Sequence, residues 1–123
     1  MIIDNEGVAL HVVEEGNPDG ATVLLLHGIT SCTDTWNWLV PHLVADYRVL
    51  RLDFRGHGQS GRAESHCSFP AYVSDAIAVC EQVAGGPSIV IGHSLGGHLI
   101  HDSLSFRATE LATIQEFLAA HAS

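Results

Sequence analysis

The pentapeptide Gly92-His93-Ser94-Leu95-Gly96 fits G-x-S-x-G and directly follows the apolar run Ser88-Ile89-Val90-Ile91. A buried strand that breaks sharply into a helix start is the setting in which a serine becomes a nucleophile. The turn strains the serine backbone and lifts its hydroxyl above the sheet. The flanking glycines are required because side chains there would collide with the packed strand and helix. The pattern constrains the fold before any other reading does: it needs a sheet below it and loops around it.

Two earlier segments supply such loops. Val23-Leu24-Leu25-Leu26 is a second buried strand, and it runs into His27-Gly28-Ile29-Thr30. Attack on a carbonyl creates an oxyanion, which needs N–H donors already in place. One donor follows the nucleophile, here Leu95; the other comes from the loop after an earlier strand, here Ile29. His27 reads as a hydrogen-bond partner that supports this loop rather than a proton carrier. The third segment, Val49-Leu50-Arg51-Leu52-Asp53-Phe54-Arg55-Gly56-His57-Gly58-Gln59-Ser60, is a strand entering a glycine-rich loop. No G-x-x-x-x-G-K-[ST] accompanies it, so a phosphate-binding reading lacks its lysine.

With these three segments in this order, the chain resembles the α/β-hydrolase superfamily, and within it the lidded esterase, lipase and carbon–carbon hydrolase branch. The likeness runs from residue 1 to about 97. It implies an α/β fold with a mostly parallel five-stranded sheet, ordered 1-2-4-3-5 with strand 2 antiparallel, and flanking helices. A serine nucleophile makes the aspartate-nucleophile members, epoxide hydrolases and haloalkane dehalogenases, poor guides to its chemistry.

The family places its acid and its histidine well after the nucleophile, but only residues 95–123 follow Ser94. Gly97-His98-Leu99-Ile100-His101-Asp102 resembles the segment around the family's catalytic histidine, and residues 106–121 resemble its last helix. The resemblance therefore implies an internally deleted, truncated hydrolase, joined near Gly96-Gly97 and lacking the lid and the last three strands. On this alignment His98 is the base and the acid is missing. His98 is also at i+4 from Ser94, a spacing at which helical side chains approach each other. A simple continuation of the helix after Ser94 is the competing reading of the tail.

The chain is read as one domain, residues 1–123, in which residues 1–97 form the front half and residues 98–123 a helical tail. Asn5-Glu6-Gly7 marks a hairpin between strands at Met1–Asp4 and Ala9–Glu15. Ala21–Leu26, Tyr47–Leu52 and Ser88–Ile91 are the buried strands. A helix is expected in Thr35–Ala45, started or interrupted by Pro41. Another is expected over Phe69–Ala84, with Tyr72, Val73, Ala76, Ile77, Cys80 and Val83 on one face and Gly85-Gly86-Pro87 stopping it. Trp36 and Trp38 fit a cavity wall or the core equally. In the tail, Leu111, Ile114, Phe117 and Leu118 give a helical period, as one helix or as two broken near Ser103–Ser105.

A net charge of −9 with only five Lys and Arg argues against nucleic acid and anionic membranes, which attract cationic patches. Cys32, Cys67 and Cys80, with no C-x-x-C, read as reduced thiols of a cytoplasmic protein. No secretory leader or membrane-length apolar run is read from the sequence. Nine histidines lack an H-E-x-x-H, so neither a metal nor another cofactor is expected. Two functions remain: a weak serine hydrolase of small acyl substrates, and a catalytically inactive deletion product that folds as an oligomeric scaffold. The strand ending at Ile91, built for an interior position, would lie bare at the sheet edge. A homodimer through that edge, or by exchanged tail helices, is expected.

Overall fold

Leu24, Leu26, Leu50, Leu52 and Val90 bury on one face of a central sheet, while Val23, Leu25, Val49 and Ile91 bury on the other. Alternate side chains of a strand point to opposite faces, so strands apolar at every position need a layer on both sides. The computed structural model describes residues 1–28, 31–62, 68–86, 88–93 and 110–113, and shows both layers.

The strands are β1 (Ile2–Asn5), β2 (Val8–Gly16), β3 (Ala21–Leu26), β4 (Tyr47–Leu52), β5 (Ser88–Gly92) and β6 (Glu110–Thr113). They form one sheet ordered β1-β2-β4-β3-β5-β6. β2 runs antiparallel to β1 and β4; β3 is parallel to β4 and β5. The order 1-2-4-3-5 with an antiparallel second strand is thus the one the resemblance implied. β1 and β2 join through a two-residue turn in which Glu6 and Gly7 both have positive φ, 54° and 81°, the conformation that matches the twist of a tight hairpin.

Helix α1 (Phe69–Val79) covers one face. Tyr72, Ala76 and Val79 are buried against the sheet, with Val73, Ile77, Cys80 and Val83 packed at the margin. This is the apolar face expected from the spacing. The helix widens into a π turn over Cys80–Ala84 and stops at Gly85, whose φ of 70° is left-handed. Nothing lies within 4 Å of a side chain placed at Gly85, so only backbone conformation requires glycine there.

The opposite face is covered by two short 3-10 turns, Thr33–Trp36 and Val40–His42, in place of the helix expected over Thr35–Ala45. Pro41 has no N–H to donate, so an α-helical ladder fails at that residue. Bonds of the tighter kind, Leu39 N–H to the Trp36 carbonyl and Leu43 N–H to the Val40 carbonyl, take its place. Trp36 is fully buried in this layer, whereas Trp38 is 47% exposed. Cys32, just before the first turn, is a half-buried free thiol.

β6 corrects the expected helical tail at Glu110–Thr113. It pairs parallel to β5, with Ile89 opposite Glu110 and Gly92 opposite Thr113. Four residues are too few for periodicity to separate strand from helix, and the N–H and C=O groups along the β5 edge offer a ladder that a helix there would leave unpaired. Residues 93–109 exceed the dozen or so that a parallel crossover needs. The bare β5 edge expected to drive self-association is therefore filled by the chain's own β6. The remainder of the tail, including the one-helix or two-helix question, lies outside the described residues.

Candidate active site

The parallel strands β3, β4 and β5 end at the same side of the sheet, where an open α/β sheet holds its ligands. His27 follows β3, Asp53 follows β4, and His93 follows β5. The His93 N–H donates to the Leu26 carbonyl at 3.1 Å, which carries the β3–β5 pairing into the G-x-S-x-G turn.

His27 is fully buried and both its ring nitrogens are engaged. Nε2 accepts from the Phe54 N–H at 3.0 Å, and Nδ1 lies 2.6 Å from the Gly28 carbonyl. An acceptor at Nε2 places the proton on Nδ1, so the neutral ring clamps the loop after β3 to the loop after β4. Burial, the largest effect, holds its pKa below the ordinary 6.5, with the nearby His57 acting in the same direction. The expectation of a loop-supporting role holds. The rings of Phe54 and His57 pack against it, the His27 and His57 centroids 5.1 Å apart, and Tyr72 packs against both of those rings.

The loop after β4 is organised by Asp53. Its carboxylate accepts the Thr33 N–H at 2.8 Å, the Gln59 N–H at 3.1 Å, and meets His11 Nδ1 at 2.8 Å. Ser60 Oγ donates to the Asp53 carbonyl and accepts the His11 N–H. Gly58 has φ 50°, and a Cβ there would stand 2.4 Å from the Asp53 carboxylate. Only glycine lets the loop close this tightly.

Arg55 and Asp75 form a buried pair that ties the same loop to α1. The guanidinium donates through Nη2 at 2.8 Å and Nε at 3.1 Å, and the Arg55 N–H adds a third bond at 3.0 Å. Asn5 donates to the same carboxylate, and Glu6 meets Arg55 Nη2 at 3.3 Å. The Asp75 hydrogen bond, foremost, raises the Arg55 pKa. Charge-assisted contacts of this kind are the condition on which a buried ion pair persists.

Ser94, Leu95, Ile29 and His98, the four site residues expected from the sequence, lie outside the described residues. What is described is the frame on either side of them. His11, Thr33 and Asp75 belong to that frame although no motif marks them, and Ser60 belongs to it as the end of the glycine-rich loop. Asp75 carries a signal, an acid on the apolar face beside Tyr72 and Ala76; His11 carries none, since only the pairing of β2 with β4 brings it to Asp53. Among the described residues no three His, Cys, Asp or Glu converge to hold a metal ion, and no helix is long and apolar enough to cross a membrane.

Residues 23–120 match the family described as "Alpha/beta hydrolase family". A serine hydrolase-like protein of Danio rerio is 41% identical over 86 residues, which are 68% of this chain and 26% of that protein. Epoxide hydrolase A of Mycobacterium tuberculosis is 29% identical over 116 residues, 92% of this chain and 36% of its own length. The thioesterase domain from the curacin biosynthetic pathway superposes with a TM-score of 0.83 at 26% identity, covering 94% of this chain and 45% of that one. The Cif epoxide hydrolase from Acinetobacter nosocomialis gives 0.80 at 26% identity, covering 92% and 36%. The chain thus spans about a quarter to somewhat under half of the length of these proteins.

Proposed function

Because the chain belongs to the alpha/beta hydrolase family, we propose that it cleaves small esters or related acyl substrates with Ser94 as nucleophile. Ser94 Oγ attacks the carbonyl, the Leu95 and Ile29 N–H groups hold the oxyanion, and His98 takes the proton. No carboxylate is assigned the acid's role, so turnover is weak in this reading. An oxyanion hole without a complete triad still leaves measurable catalysis.

The observation that carries the proposal is the junction of β3 and β5. Leu26 pairs with Gly92, and the His93 N–H continues the ladder, so the loops leading to Ile29 and Ser94 start from adjacent strand ends. The Gly28 carbonyl is gripped by His27 Nδ1 and by the Ser31 N–H at 3.2 Å. A carbonyl held on both sides fixes the end of the loop that leads to Ile29.

A fluorescent alkyl phosphonate tests this directly. The parent chain is expected to take up one label, and Ser94→Ala to take up none while keeping its far-ultraviolet circular dichroism. Absence of label in the folded parent would favour the inactive-scaffold reading. The names of the epoxide hydrolase relatives support a second substrate class. Turnover of styrene oxide without phosphonate labelling would move the assignment to epoxide opening.

A further inference from the structure

The His11–Asp53 pair has the arrangement of a reactive imidazole. Asp53 is 1% exposed, while the His11 side chain is 17% exposed. His11 Nδ1 is 2.8 Å from Asp53 Oδ2. A carboxylate on one ring nitrogen fixes the tautomer with its proton there, and leaves the lone pair on the other nitrogen. Nε2 makes no hydrogen bond among the described residues. The buried side-chain polar atom without a partner among them is Trp36 Nε1, not His11 Nε2, so Nε2 opens to solvent with its lone pair available. The other described histidines are placed differently. His27 spends both nitrogens on the backbone, and His57 Nδ1 meets the Arg55 carbonyl at 2.9 Å. His42 and His93 are exposed without a carboxylate partner among the described residues.

We propose that His11 is a second nucleophile of this chain, one that accepts acyl groups from activated esters and anhydrides independently of Ser94. Nε2 donates its lone pair to the carbonyl carbon of an aryl ester, the acyl–oxygen bond breaks, and the phenolate leaves with the bonding pair. The acyl-imidazolium keeps its Nδ1 proton against the Asp53 carboxylate, which neutralises the new positive charge. Water then adds its oxygen to the acyl carbon and loses its protons to the buffer. The carboxylate product departs and the neutral imidazole returns with its proton on Nδ1.

His11 is on β2, three strand spacings from β5 in the order β2-β4-β3-β5, or roughly 14 Å. Backbone N–H groups of Thr33 and Gln59 hold the Asp53 carboxylate, so the imidazole is oriented by a partner that is itself fixed.

The test uses p-nitrophenyl acetate and diethyl pyrocarbonate as acyl donors. In the Ser94→Ala chain p-nitrophenolate release is expected to persist, and His11→Gln added to it to lower that release by about fivefold or more. Peptide mapping of the parent chain after brief exposure to diethyl pyrocarbonate is expected to find His11 modified ahead of the more exposed His42 and His93. Release unchanged by His11→Gln in a folded chain overturns the proposal, as does modification of His11 no faster than of His42 and His93. If His11→Gln unfolds the chain, the mapping decides, because it is made with His11 in place. Loss of phosphonate labelling concerns Ser94 alone and leaves this outcome untouched.

Discussion

His27 is the residue on which both neighbouring loops depend, and its protonation has a definite sign. Burial keeps its folded pKa below 6.5, so the unfolded chain binds the proton first as the pH falls. Its contribution to stability is complete above about 6.5 and declines below it, until the pH passes the folded value. The loss of urea resistance between roughly pH 7 and pH 5 is therefore expected to be smaller in His27→Gln than in the parent. An equal loss in both would remove His27 as the titrating group. The role of His27 is legible in the sequence because it follows a buried strand and precedes a glycine. The role of His11 is not, since it sits in an alternating strand with no motif around it and acquires meaning only across 42 residues of chain.

At the scale of elements, Ala21–Leu26 and Tyr47–Leu52 form strands at their expected bounds, because each is an uninterrupted β-rich run between turn signals. The segment before β4 departs from its helical reading because a proline and two tryptophans within helical spacing do not reveal where the hydrogen-bond ladder breaks. The tail departs from its own at Glu110–Thr113 because the partner that makes it a strand lies far back in the chain. α1 is held to the β4 loop by a pair of which Arg55 is 4% and Asp75 0% exposed. Asp75→Ala leaves the guanidinium buried against fewer partners, and is expected to cost about 3–5 kcal/mol in urea denaturation. Glu6, 63% exposed, shares the same arginine, and Glu6→Gln is expected to cost under about 1 kcal/mol. Similar costs for the two would show that the buried pair does not anchor the helix.

For the whole molecule, the margin of the sheet beyond β5 is the edge at which a second copy would pair if it were bare. β6 shields an edge carrying Ile89, Val90 and Ile91. A chain lacking residues 110–123 is expected to form dimers or larger species by light scattering at concentrations where the parent does not. An unchanged mass would mean that β6 is not what protects β5. The Asp53 junction has a kinetic corollary. Its three donors come from positions 42, 20 and 6 residues away, so the carboxylate finds its partners only after β2, β4 and the first 3-10 turn are in place. The loop after β4 is thus closed by side-chain bonds to Asp53 rather than by the sheet ladder, and in native-state hydrogen exchange the Thr33 and Gln59 amides are expected to open before the ladder amides of β3 and β4.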